Sequence, residues 1–295
     1  MINYSFIIPH HNTPDLLERL LKTIPQRVDI EVIVVDDNSD HDKKPSIFRE
    51  DVKLISLVAE DSKGAGHARN VGMDHAIGKW LIFADSDDFY IDGFILYLDN
   101  YLESKADIVL FSAYIDYMPG DDIILPNRNY IEKSFDTFYD SSRNPTDIKR
   151  VAAMSNVPWN KMFKREFIKR INDRFEEIPL SNDAWFSKFA GANCESVEII
   201  DSRLYYYVKY SNGITYRHRP LSHYYQAIDS NTRRNILLHR NGLNDLIEFP
   251  GFHKHNILRD FGRYTYVKLC LYKLFSDPTY LRTFLSKSFK KVFFL

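Results

Sequence analysis

The chain is poor in the features that mark secreted, fibrous or membrane-spanning proteins. Its 295 residues contain two cysteines, Cys194 and Cys270, which lie too far apart to suggest a disulfide framework and fit a reducing cytoplasm. No window approaches ~18 uninterrupted apolar residues, so we expect no transmembrane helix. The first residues lack a basic region and a small-residue cleavage site, and they predict a β-strand in place of a signal peptide. No internal repeat or low-complexity segment is found.

Apolar and aromatic residues are abundant, and charge is unevenly distributed. Hydrophobic residues make up 44% of the chain, including 21 Phe and 19 Tyr, which is enough for one large domain or a domain with an extension. The net charge is −1, but residues 216–295 carry 14 Lys/Arg and 5 Asp/Glu, a net charge of +9. The rest of the chain then has a net charge of −10. A basic C-terminal region suggests contact with an anionic surface, although a solvated helical face explains it as well.

Strand-like and helix-like patterns alternate along most of the chain, which indicates an α/β fold with a mostly parallel sheet flanked by helices. Strands are predicted at 5–8, 31–35, 52–58, 80–84, 106–113 and 198–210, with helices beginning at Pro14 and at His67. A further helix at 181–190 carries Asp183, and 157–171 includes a short helix. We interpret 118–156 as a long loop with some helix. Helical patterns dominate after Tyr216, so we predict one domain at 1–215 and a helical extension at 216–295.

The last segment of the extension predicts an amphipathic helix. Its lysines fall on one face at 100° per residue, and its opposite face is rich in leucine and phenylalanine: Leu281, Phe284, Leu285, Phe289, Val292 and Phe293. A basic, Phe-rich helix of this kind is typical of a membrane interface. The alternative is a helix that packs its apolar face on the domain.

Three carboxylates, Asp85, Asp87 and Asp88, follow the predicted strand at 80–84, with Ser86 between them. Like charges this close together are unfavourable unless a cation neutralises them. The obvious candidate is a hard divalent cation with oxygen ligands, Mg²⁺ or Mn²⁺, which commonly binds a substrate's phosphates. The segment therefore predicts a metal-phosphate site at the carboxyl end of a strand, where open α/β sheets bind their ligands.

Polar residues also follow the first two strands. Pro9-His10-His11-Asn12 ends the first strand and Asp36-Asp37 ends the second, so both segments are expected to line one crevice and to hold a base and a ribose. An Asp side chain accepts hydrogen bonds from a base N–H or from ribose hydroxyls. The simpler interpretation of Asp37-Asn38-Ser39 is a turn, and the acidic cluster nearby favours the binding role.

Two further residues complete the candidate site. Arg69, in the helix after the glycine turn, is expected to brace either the nucleotide or the acidic loop. Asp183 would serve as a base on the acceptor side of a group transfer, or merely as a charge at a helix N-terminus. Gly64-Ala65-Gly66 is a weak match to a dinucleotide-binding loop, because Arg69 occupies the position of the last glycine.

The chain resembles the family 2 glycosyltransferases, which have a GT-A fold. The resemblance runs from Ser5 to about Thr215, and its segments stand in the family's order: 5–9 with Asn12, 34–39, 66–72, 78–88, Trp159-Asn160-Lys161, Asn182-Asp183, 205–207 and 212–214. By this resemblance Asp85 and Asp87 form the Asp-x-Asp motif. Asp87 is then the main protein ligand of the metal, and Asp85 contacts the ribose, or the metal through water.

The resemblance assigns the remaining roles as well. Pro9, His11 and Asp37 flank the uracil of a UDP-sugar, and Asp183 is the general base of an inverting transfer. The sugar or acceptor side is shaped by Trp159, Asn160 and Asn182. Other nucleotide contacts are expected from Asn12, Asp36, Arg69 and Ser86.

Two departures from the family pattern concern the contact with the acceptor and the contact with the nucleobase. The family usually has an acidic residue where this chain has Asn182. This difference alters the acceptor contact and leaves the general base, Asp183, in place. It usually has an apolar residue and a Tyr where this chain has His10-His11, and an imidazole also stacks on a base. A metal role for the His pair stays an alternative. His218 and His223 are further candidates for the diphosphate or the metal shell.

The expected function is metal-dependent, inverting transfer of a hexose or N-acetylhexosamine from a UDP-sugar to a glycan, in surface polysaccharide or lipopolysaccharide synthesis. The acceptor is expected to be lipid-linked, and the enzyme cytoplasmic and peripheral on the inner membrane, with no nucleic-acid partner. The alternatives are a sugar-phosphate nucleotidyltransferase and a catalytically silent nucleotide-sugar-binding subunit. The first lacks its Gly-rich loop after the first strand, and the intact carboxylates disfavour the second.

Overall fold

A computed structural model describes residues 1–46, 49–117, 148–210, 218–248 and 254–279. The chain divides into two compact units. The first comprises Met1–Glu177 and Asn182–Tyr210, and the second comprises Ile178–Ser181 and Ser211–Leu295. The domain boundary predicted near residue 215 falls between 211 and 217, outside the described residues.

The first unit is built on an eight-stranded sheet in the order β3-β2-β1-β4-β7-β6-β8-β5. Its strands are β1 (Tyr4–His10), β2 (Ile30–Asp36), β3 (Val52–Ser56), β4 (Trp80–Phe83), β5 (Phe89–Tyr90), β6 (Ile108–Tyr117), β7 (Lys161–Lys164) and β8 (Val197–Lys209). The pairs β1–β2, β1–β4, β2–β3 and β6–β8 are parallel. The pairs β4–β7, β6–β7 and β5–β8 are antiparallel. The predicted mostly parallel α/β sheet is confirmed.

Helices flank the sheet of the first unit and build the second. The first unit has α1 (Pro14–Thr23), α2 (Ala65–His75), α3 (Phe94–Asp99), α4 (Ile148–Met154), α5 (Arg165–Ile171) and α6 (Ala184–Asn193). The second has α7 (Leu221–Arg240) and α8 (Lys254–Ser276). Gly262, with φ of 77°, interrupts α8. No helix among the described residues is long and apolar enough to cross a membrane.

Apolar side chains cover both faces of the sheet. In β1, Phe6 and Ile8 belong to one buried cluster and Ile7 to another. The neighbouring strands β2 and β4 divide their residues between the two clusters in the same way. A strand buried on both faces needs apolar residues at successive positions, which is why these segments lack strict alternation.

The edge of the sheet where β1 and β4 begin is fastened by one carboxylate. Glu31 Oε1 accepts hydrogen bonds from Ser5 Oγ at 2.5 Å, from the Ile77 amide at 2.7 Å and from the Gly78 amide at 3.2 Å. A Cβ at Gly78 would overlap the backbone of Ser5, so only glycine allows this close approach. The polar loops lie at the opposite ends of these strands.

The structure differs from the sequence prediction in several elements, and strand β5 and helix α3 were not predicted. Strand β7 was not predicted either, because a four-residue strand with lysine at both ends shows no periodicity. The helix predicted at 181–190 begins at Ala184, so Asp183 precedes it at the N-cap position. The strand predicted at 106–113 runs from Ile108 to Tyr117. The predicted tail helix and most of the predicted loop at 118–156 lie outside the described residues.

Candidate active site

Parallel pairing places the carboxyl ends of β1, β2 and β4 at one edge of the sheet. His10 pairs with Asp36 across β1 and β2, and Ile7 pairs with Phe83 across β1 and β4. The Asp37 amide continues the ladder by donating to the His10 carbonyl at 2.8 Å. The polar segments that follow these strands are therefore neighbours, as predicted.

A buried network links the segments after β1 and β2. His10 Nδ1 lies 2.8 Å from Asp36 Oδ1, and the Thr13 amide donates to His10 Nε2 at 3.2 Å. Because Nε2 accepts, Nδ1 carries the proton. Ser39 Oγ also donates to Asp36 Oδ1, at 2.5 Å. Burial lowers the pKa of His10 although Asp36 opposes the change, so a neutral His10 ties the two loops together.

Asp37 and His11 stand beside each other at the mouth of this edge. Asp37 Oδ2 accepts a hydrogen bond from the Gly64 amide at 2.9 Å. Asp37 Oδ1 is buried and has no hydrogen-bond partner among the described residues. His11 is exposed, and its Nδ1 donates to the Asp37 carbonyl at 2.9 Å. The edge thus offers an available carboxylate oxygen next to an imidazole ring, which suits a base N–H and its π-face.

The loops around this position are fixed by side chains predicted to bind the nucleotide. The Asn12 amide donates to Ser39 Oγ at 2.8 Å, and Asn12 Oδ1 accepts from the Asp40 amide at 2.8 Å. Ser86 Oγ lies 3.2 Å from the Thr13 hydroxyl, which joins the acidic turn to the loop after β1. Pro9 is buried within β1. The predicted residues therefore gather at one edge, where Asn12 and Ser86 also hold the loops.

The acidic segment forms a turn closed by a 3.1 Å hydrogen bond from the Asp88 amide to the Asp85 carbonyl. Asp88 is buried, and its Oδ1 accepts from the Val208 amide in β8 at 2.7 Å. Burial, followed by the charges of Asp87 and Asp85, raises the pKa of Asp88 well above its ordinary value. Asp88 therefore anchors the turn, while Asp85 and Asp87 are partly exposed.

Asp87 is held through its backbone and carries an unfavourable charge. Its carbonyl accepts hydrogen bonds from Arg19 Nη2 at 2.5 Å and from the Tyr210 hydroxyl at 3.0 Å. Burial, and then the nearby Asp85 carboxylate, raise the pKa of Asp87 to about 6. A carboxylate whose ionised form is disfavoured by another carboxylate is stabilised by an added cation.

The Asp85–Asp87 pair fits a divalent cation that is shared with a diphosphate. Among the described residues, no group of three or more His, Cys, Asp or Glu side chains is placed to hold a metal. Mg²⁺ is commonly held by one or two carboxylates, with substrate phosphates and water completing its octahedron. Asp87 and Asp85 would be these carboxylates, and the ion would stabilise the charge on a leaving diphosphate.

Arg69 connects the acidic turn with the segment that carries Asp183. Its Nη2 lies 2.5 Å from Asp85 Oδ1, and its Nη1 donates to Asn182 Oδ1 at 2.9 Å. Burial alone would lower the pKa of Arg69, but the carboxylates of Asp85 and Asp183 raise it. One buried guanidinium therefore joins a donor-side carboxylate to the residue beside the expected base.

Gly66 permits this arrangement. A Cβ at Gly66 would overlap the Glu176 carbonyl and crowd the Asn182 side chain, so the start of α2 can lie against these two residues only when this position is glycine. Asp183 follows directly, at the N-cap of α6, where the Ser187 amide donates to its carbonyl at 3.1 Å. Gly66 and Arg69 lie one helical turn apart in α2. Together they position the acidic turn and the segment Asn182-Asp183.

Trp159, Asn160 and Lys161 lie deeper than the sequence suggested. Trp159 is 1% exposed and stacks on Tyr205 and Tyr207, with ring centroids 4.9 and 5.4 Å apart. Burial lowers the pKa of the Lys161 amine well below its ordinary value, and its Nζ lies 2.8 Å from Asn160 Oδ1. Ser155 Oγ donates to the same oxygen at 3.2 Å, so two contacts hold the Asn160 side chain. Trp159 therefore supports the site from beneath, and Asn160 is held in one orientation.

Several site residues escaped the sequence analysis because they come from distant elements. Arg19, in α1, contacts the acidic turn from 68 residues away. Tyr205, in β8, accepts a hydrogen bond from the Asp85 amide at 2.9 Å. Burial lowers the pKa of Lys209 to about 8, although Asp88 and Asp87 oppose this change. The dense Tyr205-Tyr206-Tyr207 run was the one sequence signal for this side of the site.

The two C-terminal histidines belong to the second unit. His218 Nδ1 lies 3.1 Å from Asp260 Oδ2. His223 lies in the first turn of α7, where burial lowers its pKa. The ligand roles suggested for the two histidines stay predictions.

A mostly parallel sheet whose strand ends carry Asp37 and an Asp-x-Asp turn, with Asp183 beside Arg69, is the arrangement expected for a GT-A fold. The family model described as "Glycosyl transferase family 2" matches residues 5–171. The chain belongs to this family, which disfavours the nucleotidyltransferase alternative.

Curated relatives are similar over part of their length. Poly(ribitol-phosphate) beta-N-acetylglucosaminyltransferase TarS of Staphylococcus aureus is 22% identical over 222 residues, which cover 72% of this chain and 36% of TarS. UDP-Glc:alpha-D-GlcNAc-diphosphoundecaprenol beta-1,3-glucosyltransferase WfgD of Escherichia coli is 27% identical over 132 residues, or 44% of this chain and 49% of WfgD. The chain spans about a third of the length of TarS.

Solved structures share the fold. Residues 1–349 of S. aureus TarS in complex with UDP-GlcNAc superpose with a TM-score of 0.69 at 18% identity, covering 94% of this chain and 82% of that one. The mannosyltransferase PcManGT from Pyrobaculum calidifontis, in complex with GDP-Man and Mn²⁺, has a TM-score of 0.53 at 15% identity, covering 97% and 75%. At these identities the likeness establishes the fold.

Proposed function

We propose that this glycosyltransferase moves a hexose or N-acetylhexosamine from a UDP-sugar to a glycan acceptor, with inversion and with Mn²⁺ or Mg²⁺, in surface polysaccharide or lipopolysaccharide synthesis. The observation that carries the proposal is the Arg69 bridge from Asp85 to Asn182. It holds a donor-side carboxylate and the segment of the expected base in one site. The UDP-GlcNAc complex of TarS supports a UDP-sugar donor.

On the donor side, the available Asp37 Oδ1 accepts the uracil N–H while the His11 ring lies against the base. The loop held by Asn12 and Asp36 surrounds the ribose, and Asp85 contacts it. The partly exposed carboxylates of Asp87 and Asp85 would hold the metal, which would supply positive charge to the leaving diphosphate. This division of roles agrees with the raised pKa of Asp87, since a bound cation favours its ionised form.

On the acceptor side, Asp183 takes the proton of the attacking hydroxyl. The hydroxyl oxygen bonds to the anomeric carbon as the bond from that carbon to the diphosphate oxygen breaks, and UDP leaves with the electron pair. Attack from the face opposite to UDP inverts the configuration. The Asn160 amide, fixed by Lys161, and Asn182, fixed by Arg69, border the sugar and acceptor.

The acceptor is proposed to be lipid-linked, since the name of the relative WfgD describes a diphosphoundecaprenol-linked acceptor. A lipid-linked acceptor places the enzyme at the cytoplasmic face of the inner membrane. Contact through the basic segment at 281–293 stays a prediction, because that segment lies outside the described residues.

The test is release of UDP from a panel of UDP-, GDP- and dTDP-sugars, with Mn²⁺ and with EDTA. We expect turnover of a UDP-sugar that EDTA abolishes. Asp183→Asn should reduce kcat by ~10²–10⁴-fold, the usual contribution of a general base, and Asp87→Asn should weaken donor and metal binding.

Asp92→Asn is the matched control, since Asp92 is exposed and lies outside the site. Full turnover by Asp183→Asn would overturn the assignment of the base. A preference for a GDP- or dTDP-sugar would overturn the donor assignment and leave the reaction class intact.

A further inference from the structure

The part of α8 after Gly262 exposes large apolar side chains in a row. Tyr264 is 82% exposed, Val267 53%, Leu271 48% and Phe275 80%. We call these four residues the α8 apolar face. Together with Tyr272 they are five of the thirteen large hydrophobic side chains exposed in the described residues. The other eight are scattered over the first unit, where single exposed apolar residues are ordinary.

Helical geometry makes these residues one surface. At 100° per residue, Tyr264, Leu271 and Phe275 fall within about 40° of arc, and Val267 flanks them. The buried Leu269 and Lys273 lie on the opposite side of the helix. Leu269 joins an apolar cluster with Tyr224 and Ile228 of α7. The face is therefore not the side by which α8 packs on its own unit.

The charged residues of the part of α8 after Gly262 all have one sign, although Asp229 of α7 lies beside it and accepts a hydrogen bond from the Tyr272 hydroxyl at 2.9 Å. Residues 261–276 contain no Asp or Glu, and their cations are Arg263, Lys268 and Lys273. Lys273 is buried and pairs with Asp277 at 2.6 Å, whereas Arg263 and Lys268 are exposed. The part of α8 after Gly262 thus presents two exposed cations beside an aromatic and aliphatic strip and has no acidic residue of its own.

We propose that the α8 apolar face docks on an anionic lipid surface. Phe275, Leu271 and Val267 would enter the boundary between headgroups and acyl chains, where Tyr264 can keep its hydroxyl at the polar level. Arg263 and Lys268 would meet the anionic headgroups. Charge decides against a second copy of the chain, since a symmetric contact through this face would bring the same uncompensated cations together.

The test is co-sedimentation of the full-length protein with vesicles of equal parts phosphatidylglycerol and phosphatidylcholine, and with vesicles of phosphatidylcholine alone. We expect binding to the first that salt weakens, and little binding to the second. Tyr264→Ser with Phe275→Ser should weaken binding roughly tenfold or more. Arg263→Gln with Lys268→Gln should remove the preference for anionic vesicles.

The matched control is Leu96→Ser with Val58→Ser, which removes two side chains exposed by 66% and 56% in the first unit and should leave vesicle binding unchanged. Wild-type binding by the Tyr264/Phe275 variant, or equal binding to both vesicle types, would overturn the proposal. Light scattering that detects a dimer, if the Tyr264/Phe275 variant dissociates that dimer, would also overturn the proposal. No donor or acceptor is needed, so the outcome does not depend on the proposed reaction.

Discussion

At the scale of single residues, the ionisation state of the Asp87 carboxyl affects the free energy of unfolding. Burial and Asp85 raise its pKa to about 6, above the ordinary value of the unfolded chain. The ionised carboxylate therefore destabilises the metal-free fold above pH 6. This penalty fades as pH falls toward the unfolded value near 4.

We therefore expect Asp87→Asn to raise the free energy of unfolding by about 1–2 kcal/mol at pH 7.5, since partial exposure reduces the full effect of ~1.4 kcal/mol per pKa unit. The gain should shrink at pH 4.5. Urea unfolding in EDTA at both pH values measures it, with Asp92→Asn as the control. A gain that grows toward acid pH would contradict the prediction.

Arg69 is expected to tolerate no conservative replacement. Lysine keeps the charge but cannot reach Asp85 and Asn182 with two separate N–H groups. Arg69→Lys should lower kcat/KM by on the order of 10²-fold and destabilise the fold by ~1–3 kcal/mol. Steady-state kinetics and urea unfolding measure the two effects.

Arg174→Lys is the matched control for that experiment. Arg174 contacts the same helix, with Nη2 2.6 Å from Asp74, but both side chains are about half exposed. Such a pair contributes ~0–1 kcal/mol, so activity should stay close to wild type. Equal losses in the two variants would show that the Arg69 bridge has no special role.

The sequence predicted the placement of candidate site residues where they directly follow a predicted strand. Asp85, Asp87 and the Asp36-Asp37 pair follow apolar runs, and parallel pairing brings such strand ends together. Arg19 and Lys161 were not assigned roles, because a cation on a helix or in a short strand resembles a solvated residue. Only the folded chain shows that Arg19 reaches the acidic turn.

At the scale of elements, Gly66 allows α2 to lie close to Glu176 and Asn182. Gly66→Ala should push the Glu176 carbonyl and Asn182 away, which destabilises the fold by ~1–3 kcal/mol and also lowers kcat. Thermal unfolding and donor turnover measure the two effects.

The matched control is Gly78→Ala, whose Cβ would overlap Ser5 at the opposite edge of the sheet. It should lower stability to a similar degree and leave kcat close to wild type. A Gly66→Ala variant that is destabilised but fully active would contradict the role of this close approach.

The strands that the sequence predicted most closely are those that form buried apolar runs. Strands β1, β2 and β4 were placed to within two residues, because runs of buried apolar residues are a strong signal. Strand β7 was missed, since its four residues are defined by antiparallel pairing with β4 and β6. That pairing is a tertiary feature without local periodicity.

At the scale of the whole molecule, the uneven charge predicts behaviour that the net charge hides. Removal of residues 280–295 deletes Arg282, Lys287, Lys290 and Lys291. We expect this truncation to shift the protein from membrane to soluble fractions in cell fractionation, since each cation near an anionic surface contributes ~1 kcal/mol. An unchanged distribution would show that this segment is not required for membrane association.

The buried core of the second unit explains where such a truncation can be made. Asp277 accepts hydrogen bonds from Asn235 at 2.7 Å and from the Thr279 hydroxyl at 2.6 Å, and it pairs with Lys273. Breaking a buried pair of this kind is strongly destabilising. A cut after Thr279 keeps the network, so any change in fractionation reports on the tail.

The Glu31 fastening at the far edge of the sheet has a consequence for enzyme engineering. Ser5, Glu31 and Gly78 fix the first residues of the strands, while the loops at 11–13 and 37–40 follow the last residues of β1 and β2. Random mutagenesis for a new donor preference should therefore sample those loops freely. A library that also varies Ser5, Glu31 and Gly78 will mostly yield insoluble clones.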